Sequence, residues 1–98
     1  MSIWHPFQAR AIKAHRRIAA VLLALPDDHH YGYPLSRRAG VSPGSMYPVL
    51  TRMLRDGWLT DGWETPEPED RPARRWYQLT EVGHRELTAM LRAIGGRS

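Results

Sequence analysis

The chain has 98 residues, is 42% hydrophobic and carries a net charge of +4, enough for one small globular domain. It has no cysteine, which excludes disulfides, thiolate zinc sites and cysteine nucleophiles and suits a cytoplasmic protein. Its longest apolar run, Ile18–Leu25, is too short for a membrane span, and the N-terminus has no signal-peptide pattern.

Residues 6–26 read as the first helix. Pro6 is tolerated in a first turn, and Pro26 stops the helix. Ala11, Ala14, Ile18, Val21, Leu22 and Leu25 recur at helical spacing, with Arg10, Lys13, Arg16 and Arg17 mostly opposite. Residues 26–32 read as a turn. A short second helix follows over Tyr33–Gly40, with Pro34 near its start and Gly40 as its stop.

The third helix spans Ser42–Asp56. Met46, Val49, Leu50, Met53 and Leu54 form its inward face, and Gly57 ends it. Ser45, Pro48, Arg52 and Arg55 face outward, flanked by Tyr47 and Thr51. Two short helices joined by a glycine-containing turn read as a helix-turn-helix, with the later helix as the recognition element.

The period then changes. Residues 58–64 and 74–79 are strand-like. The intervening Thr65–Ala73 segment, with three prolines and four charges, reads as a mobile loop. A two-stranded ribbon after a helix-turn-helix reads as a wing. The last helix begins after Thr80, its candidate N-cap, carries the stripe Leu87, Met90, Leu91 and Ile94, and ends at Gly95–Gly96.

The expected fold is therefore mostly α with a small two-stranded β-wing, a winged helix-turn-helix. Residues 1–80 form the DNA-binding part, and residues 81–98 form a dimerisation helix of the same compact unit. So small a core is marginal by itself, and the apolar stripe of the last helix is expected to pack across a two-fold axis with the first helix.

Three segments, Tyr31–Tyr33, Ser42–Leu59 and Arg75–Gly83, resemble the PadR family of winged-helix transcriptional regulators. The most specific element is the order of Ser-Pro-Gly…Tyr-Pro in the third helix and Leu-Thr-x-x-Gly after the wing. Tyr31 stands where that family usually has His. The last helix stops near residue 94, so the resemblance implies a minimal member with no large effector domain. It also implies a homodimeric regulator, a repressor, that binds double-stranded DNA.

The residues fit that role. Ser42 caps the third helix by accepting the amide of Ser45, and Pro43 costs no hydrogen bond at the first helical position. Gly44 leaves the helix start bare, so the amides of Gly44 and Ser45 offer a small anion site reinforced by the helix dipole. Pro48 would press on the carbonyl of Gly44, and glycine there gives room for a bend. Tyr47 has the chemistry to donate to a phosphate or stack at a base edge. Thr51, Arg52 and Arg55 continue the face.

By family analogy Arg71, Arg74 and Arg75 contact the minor groove or phosphates. Glu64, Glu67, Glu69 and Asp70 in the same segment would repel them. Residues 1–56 hold eight Lys or Arg against three Asp or Glu, whereas residues 57–98 hold six against seven. A basic N-terminal half points to a polyanionic partner.

The five histidines lack metal spacing, and His29 and His30 read as solvated turn residues. No catalytic dyad or phosphate-binding loop appears, and no cofactor is implied. Trp58 and Trp76 read as core. Trp4 and Trp63 read as packing residues or as the lining of an aromatic pocket at a dimer interface. Two rivals to the DNA-binding regulator are a winged helix used for protein–protein contact and a ligand-gated sensor of an aromatic small molecule.

Overall fold

A computed structural model describes the backbone of residues 6–95 and the side chains of residues 12–93. Trp4 and the side chains of Arg10, Ala11 and Ile94 lie outside that range. The elements in order are α1 (Pro6–Ala24), β1 (His30–Tyr31), α2 (Gly32–Ala39), α3 (Pro43–Arg55), β2 (Leu59–Trp63), β3 (Arg75–Leu79) and α4 (Glu81–Gly95).

One core ties these elements together. Ala14, Ile18, Ala19 and Leu22 of α1 pack with Leu35 of α2, with Met46, Val49, Leu50 and Met53 of α3, and with Leu59, Tyr77, Leu79 and Leu87. Each fully buried aliphatic side chain contributes about 1.5–3 kcal/mol. The helical spacing on α3 holds, with Leu54 half-buried at its edge.

Helix ends follow local chemistry. After α3 the chain turns through Gly57 at φ 78°, a conformation that disfavours residues with a Cβ. There the amide of Gly57 donates to Leu54 O at 3.1 Å and that of Trp58 to Met53 O at 2.8 Å, closing a Schellman motif. Thr80 caps α4 by accepting the Gly83 amide at 3.0 Å, and its hydroxyl donates to Gly57 O at 2.8 Å. A Cβ on Gly83 would overlap the Trp58 carbonyl. The Leu-Thr-x-x-Gly segment thus clamps the start of α4 onto the end of α3.

The sheet differs from the expected pair of strands. It has three antiparallel strands in the order β1-β3-β2. β2 pairs with β3 from Leu59↔Leu79 to Trp63↔Arg75, and His30↔Tyr77 and Tyr31↔Trp76 add β1. The segment read as a solvated turn therefore contributes a strand. His30 is only 4% exposed, with Nε2 hydrogen-bonded to Leu25 O at 2.9 Å. His29 stacks on Trp76, with ring centroids 3.8 Å apart and planes 4° apart.

Leu87 also departs from expectation. It is 0% exposed within the single chain, where α4 packs on α1, so it is a core residue with no surface left for a partner. Met90 and Leu91 are half-buried against the same core.

Candidate nucleic-acid interface

α3 presents one continuous polar face. Ser42, Gly44, Ser45, Tyr47, Pro48, Thr51, Arg52 and Arg55 are all solvent-exposed, while the opposite side of the helix is sealed in the core. The sequence from Pro43 to Arg55 contains no acidic residue. Among the described residues neither Arg52 nor Arg55 has an ion-pair partner. The helix runs through Pro48.

At the helix entry Ser42 has φ −65° and ψ 152°, and its Oγ accepts from Ser45 N at 3.3 Å. Ser45 N also reaches Ser42 O at 3.0 Å. The Ser45 amide is thus used within the chain, and of the two amides expected at an anion site only that of Gly44 remains. A Cβ on Gly44 would meet no atom within 4 Å. It would stand clear of the Pro48 side chain, so any relief of proline crowding at Gly44 lies in its backbone and not in the missing Cβ.

Two cations that sequence reading left out of the site stand beside this entry. Lys13 and Arg17 of α1 line a cleft of about 210 Å³ with Ser42 and Ser45, and Arg17 Nη1 donates to Gly40 O at 3.3 Å. Their position on the polar side of the first helix was legible. Their proximity to Ser42 depends on how α1 crosses α3, which no local pattern encodes.

The ribbon arginines are tied to carboxylates of their own ribbon. Arg71 donates to both oxygens of Glu64, at 2.7 and 3.1 Å. Arg74 reaches Glu64 through its backbone amide at 3.3 Å and through Nη2 at 3.4 Å. The Arg71 hydrogen bonds, helped by those of Arg74, hold the Glu64 carboxyl down at about 2, against a smaller opposing effect of desolvation. Arg75 is held by Asp61, through Nε at 2.8 Å and through Nη2 to the same oxygen. The segment expected to be mobile is therefore pinned at its base. Trp63, at the end of β2, is 62% exposed and does not pack in the core.

His15 of α1 packs edge-on against Trp58, with ring centroids 6.3 Å apart. Its Nδ1 is buried with no hydrogen-bond partner. Desolvation, and then the positive charge of Arg52, lower its pKa, with Asp56 opposing.

Two consecutive helices, the second exposed along one basic face, followed by an antiparallel ribbon, define a winged helix-turn-helix domain. The chain belongs to the transcriptional regulator PadR-like family, whose profile matches residues 21–89. Members of that family are transcription regulators, not enzymes.

Solved structures agree on the fold. The protein smu.1704 from Streptococcus mutans UA159 superposes with a TM-score of 0.69 at 20% identity, over 87% of this chain and 78% of that one. A PadR-like transcription factor from Bacteroides fragilis gives 0.68 at 23% identity, over 94% and 91%. A PadR family transcription regulator from Clostridium difficile R20291 gives 0.67 at 20% identity, over 82% and 84%. No curated protein sequence matches the chain. Among the described residues no helix is long and apolar enough to cross a membrane.

Proposed function

We propose that the protein is a sequence-specific, double-stranded-DNA-binding transcriptional repressor that acts in the cytoplasm as a homodimer. The observation that carries this reading is the exposed face of α3, free of acidic residues and basic at Arg52 and Arg55. α3 enters the major groove with this face. Gly44, Lys13 and Arg17 approach the flanking phosphates at its entry. Arg71, Arg74 and Arg75 approach DNA from the ribbon, which serves as the wing.

Dimerisation uses the part of α4 that the protomer leaves half-buried, Met90 and Leu91, with the exposed Ile12 of α1. Leu87 has no part in it. Repression is steric, the dimer covering a promoter. Residues 1–80 bind DNA and the α4 segment dimerises, as parts of one unit.

Selection of bound fragments from genomic DNA tests the reading: a recurrent sequence with two related half-sites is expected. A second reading, a winged helix that contacts another protein, draws support from the pairing of all three ribbon arginines with carboxylates. On that reading no DNA sequence is enriched.

A further inference from the structure

Beside the recognition helix lies a second cleft, of about 300 Å³, between the start of α2, the middle of α3 and β3. Its walls include Tyr31, Tyr33, Tyr47, Tyr77, Arg74 and Arg75. We propose that this cleft seats the sugar–phosphate strand that separates the groove entered by α3 from the groove under the ribbon, with Tyr33 and Tyr47 as phosphate donors and Arg75 as the cation. The proposal rests on the DNA-binding reading above and adds Tyr33 to the contact surface and Gly32 as a positioning residue.

Topology supplies the first argument. In B-DNA a sugar–phosphate strand runs between each major groove and the adjoining minor groove. A protein that places α3 in one and the ribbon over the other must let that strand pass between them. The cleft is the depression between those two elements, with the start of α2 as its floor.

The side chains supply the second. Tyr33 is 68% exposed. Its hydroxyl accepts from Arg37 Nη1 at 3.1 Å, with the Arg37 guanidinium 5.7 Å from the ring centroid. Accepting that bond leaves the hydroxyl proton available to donate, beside a positive charge. Tyr47 is 45% exposed and its Oη rests against Gly32, where a Cβ would overlap it. The missing Cβ at Gly32 sets the position of the Tyr47 hydroxyl.

Arg75 spends Nε and Nη2 on Asp61, and its Nη1 meets no hydrogen-bond acceptor among the described residues. Asp61 therefore aims the guanidinium while offsetting part of its charge.

The third argument separates a backbone strand from an aromatic ligand. Tyr31 is already covered by the Arg74 guanidinium at 4.8 Å. The buried ring of Tyr77 is covered by Arg75 at 5.3 Å. With Arg37 over Tyr33, three of the four tyrosine rings thus have a face taken by a cation. What the cleft offers is hydroxyls, guanidinium edges and the apolar edge of Pro34, which match a phosphate and its deoxyribose.

The test uses the full chain and a duplex enriched from genomic DNA, with single phosphates replaced in turn by uncharged methylphosphonates. For the native protein, one replacement beside the α3 groove should weaken binding about tenfold, as should Tyr33→Phe and Gly32→Ala on the unmodified duplex. Both variants should also become insensitive to that replacement. Their thermal unfolding should match the native chain, because Tyr33 is exposed and the added Cβ at 32 meets only the tip of a side chain. Enrichment of no duplex by the native chain overturns the underlying reading, and Arg52→Ala is the control for loss of binding at the recognition face. Weakened binding by Arg52→Ala, with Tyr33→Phe and Gly32→Ala retaining native affinity and native phosphate sensitivity, overturns the cleft proposal alone.

Discussion

Replacing Gly44 by valine separates the stability of the recognition helix from its use. Gly44 is the second residue of α3, and a Cβ there would stand in open space. Glycine costs about 1 kcal/mol relative to alanine inside a helix, and valine about half that. Gly44→Ala should therefore gain up to about 1 kcal/mol, and Gly44→Val a few tenths. For a domain of this size 1 kcal/mol moves Tm by roughly 4–8 °C, so Gly44→Val should unfold within a few degrees of the native chain. Binding should respond differently. The valine methyl groups would stand beside the one entry amide that Ser42 does not use. Losing a hydrogen bond to a charged phosphate costs about 1.5–3 kcal/mol, roughly ten- to 150-fold in affinity. Unfolding followed by circular dichroism and fluorescence anisotropy on an enriched duplex give both quantities. Native affinity for Gly44→Val would refute the reasoning about the helix entry, and a large drop in Tm would refute the open space around Gly44.

Three further outcomes follow from the geometry. Leu91→Asp should leave a folded monomer by sedimentation equilibrium, whereas Leu87→Asp should unfold, because Leu87 belongs to the protomer core; a monomeric mass for the native chain at micromolar concentration would overturn the dimer. The pKa of His15 is lowered from 6.5 in the folded chain, so the unfolded chain takes up this proton first as pH falls. The stability it contributes is full above about pH 6.5 and is lost as pH falls through the folded value; His15→Leu should flatten that part of the Tm–pH profile, and an unchanged profile would show that the buried imidazole does not titrate with folding. Glu64→Gln removes the charge that ties Arg71 and Arg74 and should raise DNA affinity several-fold at low salt; unchanged affinity would mean that the tip of the ribbon stays clear of the duplex.

Much of the architecture was legible because it rests on local signals. Ser42 and Thr80 announce helix starts, Gly57 announces a stop, and the spacing of Met46, Val49, Leu50 and Met53 fixes which side of α3 is inward. β1 was not legible: two residues are too few to display a strand period, and their pairing partners, Trp76 and Tyr77, lie far along the chain. Leu87 shows a different limit. An apolar stripe states that a face is covered and leaves open whether the same chain or a second one covers it. The outward residues of α3 were readable from periodicity, but the engagement of Arg71, Arg74 and Arg75 with Glu64 and Asp61 was not, since those contacts depend on ribbon register and on the path of the loop. The proposed additions of Lys13, Arg17 and Tyr33 were not readable for the same reason, because the clefts they line form only where separate elements meet.

If α3 reads DNA, affinity must depend both on sequence and on salt. The native chain and Arg52→Ala would each be measured on an enriched duplex and on a scrambled one between 50 and 200 mM salt. Native binding to the enriched duplex should fall by roughly a thousandfold across that range. The native chain should prefer the enriched duplex by at least about a thousandfold, and Arg52→Ala should lose much of this preference while keeping its fold. Equal affinity for the two duplexes, or an affinity that does not change with salt, would rule out α3 as the element that reads DNA.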